Sequence, residues 1–341
     1  MRLSSFIRHF VATALVVAGA AAFCGCSLID EDLSVCEGEV QLEYGLTVET
    51  DITTEIETEL HLQADVEIQG LVKDYLGGVF TEYARDIDLS FYDTEPPMPV
   101  LKHMSETMND SESSYTLYLP VRPYRHLAVA NAAVCGTVAL AGMEEFGTAR
   151  IDQIVADGVA APQRAGLFAA RENFEVLEGK DQHFEVHLGM VNAASALVLD
   201  FARATEVQSV TVLLEGLATG LSLSDGEYVF EGTPVFSTDE ISTGDGKRRC
   251  FASVHFPSAG IGTKADEAEQ ESYWRWKVYA TLKDGSITES IIDNYEPLLA
   301  GELKIVTALI KEHGEIGAND TTVGVTVHLD WDRGPDFPVP L

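Results

Sequence analysis

VQLEYGLTV, residues 40–48, alternates apolar and polar side chains without a break. Val40, Leu42, Tyr44, Leu46 and Val48 share one period-two face, and Gln41, Glu43, Gly45 and Thr47 share the other. In a β-strand successive side chains point to opposite faces, so this spacing predicts a half-buried strand. The signature recurs along the chain. Leu60, Leu62, Ala64, Val66 and Ile68 repeat it, as do Ile87, Leu89 and Phe91, then Tyr115, Leu117 and Leu119, before the apolar run Leu127–Val134. Further on it returns at Phe184–Leu188, Leu197–Phe201, Val210–Leu214, Trp274–Leu282 and Val323–Trp331. Lys283-Asp284-Gly285-Ser286 follows one of these strands, and Asp-Gly is a strong hairpin signal. Many short strands separated by turns predict an all-β protein of antiparallel sandwiches. Val72–Ala84 and Met143–Val155 are the best helical segments. Strand patterning restarts near Gly179–Asn192, and ordinary domain size then predicts an N-terminal β-sandwich domain over 40–185 and a C-terminal one over 186–341. Gly260–Ser272 is poor in apolar residues and reads as a loop in the second of these.

Upstream of the first strand the chain changes character twice. Arg2 and Arg8 precede the uncharged apolar segment Phe10–Phe23, too short for a membrane-spanning helix and typical of an export signal. It ends in Phe23-Cys24-Gly25-Cys26, which resembles a bacterial lipobox. That reading makes residues 1–25 a lipoprotein signal peptide and Cys26 the acylated first residue of the mature chain. A diacylglyceryl group with an added N-acyl chain passes the two-chain threshold for stable membrane attachment. Residues 26–39 then form an acidic, lipid-proximal tether. Asp30-Glu31-Asp32 is similar to the signal that sends Bacteroidales lipoproteins to the outer face of the outer membrane.

Charge and motifs narrow the function. The net charge of −33 argues against nucleic acid as a partner, because that affinity rests on Lys and Arg. It also argues against direct binding to an anionic bilayer surface. No H-E-x-x-H, G-x-S-x-G, EF-hand or zinc-type C-x-x-C pattern occurs, so no catalytic residue, metal ligand or cofactor is predicted. Ser242–Lys247 lacks phosphate-loop spacing and reads as a polar hairpin loop. His183 and His187 share a strand face without forming a metal set. Trp274 and Trp276 share a face too; they are either core or, if exposed, a sugar-stacking platform. Once Cys26 is acylated, Cys36, Cys135 and Cys250 remain. One disulfide with one thiol left over is an option, with Cys36–Cys135 the preferred pair; three reduced thiols are the other.

Cys26, the acidic run, Asp32-Leu33-Ser34-x-Cys36 and the strand Val40–Val48, in that order, resemble the start of the anchoring subunits of type V fimbriae. Ala84–Asp93 is similar to that family's second strand, and Val323–Trp331 to its closing strand. The Thr/Glu-rich stretch Glu49–Glu59 and the segment Leu60–Gly78 depart from the pattern. The resemblance implies two tandem transthyretin-like β-sandwich domains and a non-enzymatic role: holding a pilus shaft to the outer membrane, with a further part in limiting shaft length. It implies fimbrial shaft subunits as partners, engaged by β-strand addition. A surface glycan-binding lipoprotein of a nutrient-uptake system is the competing reading, and exposed aromatics would favour it. In such pili a trypsin-like protease removes the first strand of each shaft subunit. Here Ser27–Val72 holds 13 acidic residues and neither Lys nor Arg, so such a protease has nowhere to cut before Lys73. The last residues carry Pro335, Pro338 and Pro340, which suits a donor strand poorly, since proline lacks the ladder N–H.

Overall fold

The structure is a computed structural model, and it describes residues 39–47, 66–80, 84–108, 114–179, 182–242, 247–258, 272–316 and 321–328. It is an all-β protein, and its described residues form five sheets and two α-helices. Sheet 1 has three strands in the order β11 (Gln182–His187), β1 (Glu39–Thr47) and β4 (Ser114–Pro120). Sheet 2 runs β12 (Gly189–Met190), β10 (Phe168–Glu175), β5 (Pro123–Ala130), β2 (Asp86–Tyr92) and β3 (Val100–Thr107). Sheet 3 joins β16 (Tyr228–Val229), β15 (Gly220–Ser222), β7 (Arg150–Gln153) and β6 (Val138–Ala141). Sheet 4 is β18 (Asp239–Ser242), β19 (Arg248–His255), β13 (Ala193–Asp200), β22 (Glu302–Leu309) and β23 (Thr321–His328). Sheet 5 is β21 (Ile287–Asn294), β20 (Trp274–Leu282), β14 (Val207–Glu215), β17 (Val235–Ser237), β9 (Val159–Ala160) and β8 (Val155–Ala156).

The packing explains which strands alternate and which do not. Sheets 1 and 2 face each other across Leu42, Tyr44, Leu89, Phe91, Leu117 and Ala128. The opposite face of sheet 2 is covered as well: Tyr92, Leu127 and Val129 pack with Phe146, Ile151 and Leu221 of the sheet 3 region. β2 and β5 are therefore buried on both faces; β5 ends in the continuous apolar run Leu127–Ala130, while β2 buries Asp88 and Ser90 between its apolar residues. Sheets 4 and 5 enclose another core around Leu197, Val212, Trp276, Val278 and Val306. β20 keeps strict in–out alternation, because only one of its faces is covered.

Helix α1 (Val66–Val79) covers the other face of sheet 4. Val72, Leu76 and Val79 share its buried stripe and join Cys250, Ala252 and Val254 in one cluster. Gly70, Gly77 and Gly78 give this helix poor intrinsic propensity, so packing holds it. Tyr75 donates from the helix to Asp239 of β18 at 3.0 Å, and Arg164 pairs with the same carboxylate.

Two expectations are corrected. Val66 and Ile68, counted as the end of a strand, lie in α1; residues 60–65 are outside the described set. The period-two reading failed because Ile68, Val72, Leu76 and Val79 also satisfy a helical repeat. Met143–Val155, expected as a helix, forms a 3-10 turn at Phe146–Thr148, strand β7 and the start of β8. Gly142 and Gly147 interrupt any helix there, and Gly142 adopts φ +63°, with Thr148 O only 2.2 Å from where a Cβ would sit.

Strands from the two halves share sheets. β6 and β7 pair into sheet 3 beside β15, and β9 pairs with β17 in sheet 5. The proposed division at 185/186 falls within β11, and any folding unit defined by it exchanges strands with its neighbour. A buried amide chain lies at this junction. Gln153 Nε2 donates to Thr137 O at 3.0 Å and Ala161 O at 3.1 Å, and Gln163 Nε2 donates to Gln153 Oε1 at 3.0 Å. Asn192 Nδ2 donates to Gln163 Oε1 and to Ala165 O, each at 3.0 Å, while Asn192 Oδ1 accepts from Leu167 N at 3.3 Å. Gln163 N donates to Val254 O and Gly301 N to Asn192 O, which fastens the chain to β19 and to the entrance of β22.

Candidate functional site

The candidate element that follows the acidic segment is β1, and the structure seats it deeply. β1 lies in the middle of sheet 1, antiparallel to β4 and parallel to β11. Its alternation is realised: Leu42, Tyr44 and Leu46 are buried, while Gln41 and Glu43 face solvent. Gly45 lies on the outer face beneath the His183 ring, where a Cβ would come within 3.3 Å of it. His183 in turn sits 3.8 Å from Glu43 on the exposed side.

One polar bond crosses from this strand into sheet 2. Tyr44 is 0% exposed, and its hydroxyl donates to His126 Nε2 at 2.5 Å. The other ring nitrogen of His126, Nδ1, donates to Ser90 O of β2 at 2.9 Å. These two roles require a neutral ring, with its proton on Nδ1. The Phe91 ring stacks on the imidazole at 4.4 Å and 14°, and Tyr44 meets it edge-on. Burial pushes the His126 pKa down to about 4 and drives that of Tyr44 strongly upward. Glu172, paired in register with His126 on β10, is raised by partial burial. Nothing local in the sequence marks His126 as a partner of Tyr44, for they are 82 residues apart.

A second polar cluster tests the non-enzymatic expectation. Asp88 and Ser90 on β2 lie beside Ser105 and His103 on β3. His103 Nδ1 is 2.8 Å from Ser90 Oγ and 3.4 Å from Asp88 Oδ1, and Ser105 Oγ donates to Asp88 Oδ2 at 2.6 Å. A nucleophilic relay needs serine on one ring nitrogen and carboxylate on the other. Ser90 shares Nδ1 with Asp88 and is fully buried, while Ser105 Oγ lies 3.5 Å from Nε2 but gives its proton to Asp88 Oδ2. The cluster joins an edge strand to its neighbour. Among the described residues no three His, Cys, Asp or Glu side chains come together as a metal site.

Trp274 and Trp276 are 1% and 0% exposed and belong to the core between sheets 4 and 5, not to a sugar platform. A cleft of about 530 Å³ opens between β7, the turn at Gly158 and the loop Glu231–Pro234; Arg150, Asp152, Val155, Thr219 and Val229 line it, without an aromatic side chain.

The other sequence-derived sites divide by position. Cys26, the Asp30-Glu31-Asp32 signal and Cys36 lie outside the described residues, as does Trp331. Cys135 ends the short helix α2 (Ala132–Cys135), buried, with its Sγ 3.4 Å from Thr137 Oγ1. Cys250 is buried in β19, and burial pushes its thiol pKa up to about 12. Neither forms a disulfide among the described residues, and the Cys36–Cys135 pairing stays a proposal.

No protein-family model and no curated protein matches this sequence. Solved structures do. An adhesin candidate from Bacteroides ovatus superposes with a TM-score of 0.51 at 11% identity, over 85% of this chain and 94% of its own. A candidate polysaccharide-binding protein from Bacteroides thetaiotaomicron scores 0.50 at 9% identity, over 81% and 93%. The fimbrial anchor protein Mfa2 from Porphyromonas gingivalis scores 0.47 at 10% identity, over 80% and 90%, too low to establish common topology. At such identities a likeness speaks for architecture alone. The chain has the fold of these Bacteroides proteins.

Proposed function

We propose that this chain is a structural lipoprotein that holds a fimbrial shaft to the outer face of the outer membrane. In this reading Cys26 carries the lipid, Asp30-Glu31-Asp32 directs surface export, and shaft subunits are the partners, joined by β-strand addition. One observation carries it. β1 is the middle strand of its sheet, its apolar face is buried, and no Lys or Arg occurs between Ser27 and Val72. The strand next to the lipid is therefore built in and has no site for a trypsin-like protease, as a permanent tether requires. The shared fold with an adhesin candidate supports a place at the cell surface. Burial of Trp274 and Trp276 removes the aromatic pair on which the glycan-binding alternative drew.

The test installs the missing cleavage site. Thr53→Arg lies in the segment after β1. In cells with a trypsin-like surface protease, the cut protein should leave the membrane and the pili should be shed into the medium. In protease-deficient cells the same variant should anchor normally. Fractionation probed for the shaft subunit reads both arms. Pili that stay cell-bound after confirmed cleavage would refute the tether.

A further inference from the structure

We infer that Tyr44 and His126 form an acid-sensitive latch that seats β1, so that acidification loosens this strand before the rest of the molecule. The inference concerns the seating of β1 and stands apart from the anchoring reading. Both ring nitrogens of His126 are engaged, Nε2 as acceptor from Tyr44 and Nδ1 as donor to Ser90 O. A second proton removes the only acceptor lone pair on the ring and sets N–H against the Tyr44 hydroxyl. It also places a charge in a site that is 0% exposed.

The surroundings offer this charge little relief. On β2 stand the Ser90 carbonyl and the Phe91 ring; on β5, Tyr124; on β10, Glu172 and Phe174. Tyr115 of β4 acts electrostatically on Tyr44, and His187 of β11 on Glu172. Glu172 is the carboxylate opposite His126 in register, and its partial burial raises its own pKa. Its titration works against the latch effect: a carboxyl raised by burial is relieved, not penalised, as pH falls.

When β1 leaves, Leu42, Tyr44 and Leu46 leave the same core face and water reaches the ring. The undocked histidine then titrates near its ordinary value of about 6.5. With the docked ring at about 4, opening of β1 should become about 20-fold more favourable from pH 7 to pH 5.

Hydrogen exchange of the full mature chain, corrected for the intrinsic pH dependence of exchange, reads this at the amides of β1. Wild type should show the roughly 20-fold rise in β1 opening while β10 amides stay protected. His126→Gln, which keeps an acceptor and a donor but does not titrate, should be nearly flat. Glu172→Gln should retain the rise. A flat wild-type response, an equal rise in His126→Gln, loss of the rise in Glu172→Gln, or β10 opening together with β1 would each overturn the latch. If His126→Gln fails to fold, ring ¹⁵N shifts of the wild type decide. Nε2 should remain unprotonated down to pH 5 in the seated state, and an imidazolium there would end the proposal.

Discussion

At the scale of single residues, two buried histidines share one arrangement and one response to pH. His255 on β19 repeats the arrangement of His126: Nε2 accepts from Ser195 Oγ at 2.8 Å and Nδ1 donates to Phe256 O at 2.7 Å. Its pKa is pushed down to about 4 by burial, well under the unfolded value. Above about pH 6.5 both states are neutral and the group has no pH effect. Between about 6.5 and 4 the unfolded chain takes up the proton first, so stability falls with pH, by about 3 kcal/mol at the lower end for each such histidine. His255→Gln should therefore be less stable than wild type at pH 7 but lose less stability on moving to pH 4.5. Urea unfolding at both values measures it. A variant with the wild-type pH slope would mean that His255 carries no share of the acid sensitivity.

At the scale of elements, β1 and α1 are opposite cases. β1 has strong local character, and its pattern was legible at once: Leu42, Tyr44 and Leu46 point inward as the alternation requires. α1 has three glycines among its 14 residues and exists because sheet 4 offers it a surface. Its stability then depends on the buried stripe. Leu76→Ala removes a side chain that is 1% exposed and should cost about 2–5 kcal/mol. The denaturation midpoint in urea should drop accordingly. A change below about 0.5 kcal/mol, the size of an ordinary surface substitution, would mean that the helix is dispensable to the core.

At the scale of the whole molecule, shared sheets and the buried amide chain connect the two halves. Asn192 offers three of the chain's contacts: two donated by Nδ2 and one accepted by Oδ1. Asn192→Leu fills the volume but leaves Gln163 Oε1, Ala165 O and Leu167 N without these partners, at about 1–3 kcal/mol for each orphaned buried group. Wild type should unfold in a single transition by tryptophan emission, which reports the core holding Trp274 and Trp276, and by hydrogen exchange of β2 and β5. In Asn192→Leu the two probes should separate. Coincident transitions in the variant would show that shared strands alone couple the halves.

Residue pattern alone determined the class of fold. Period-two alternation is a local property: it follows from the strand geometry of each segment and needs no knowledge of partners, so β1, β14 and β20 were legible. The absence of Lys and Arg over Ser27–Val72, which carries the tether argument, is likewise visible in the chain itself. The structure decided everything that depends on long-range pairing. Val72, Leu76 and Val79 fit a helix or part of a strand until sheet 4 supplies the face they cover. Met143–Val155 has helical length, but β6 and β15 offer ladder partners that turn it into strand β7. Tyr44 finds His126, and Asn192 finds Gln163, because folding brings distant segments to one buried point where unpaired polar groups are costly. That cost is set by burial, and burial is created only by the tertiary fold.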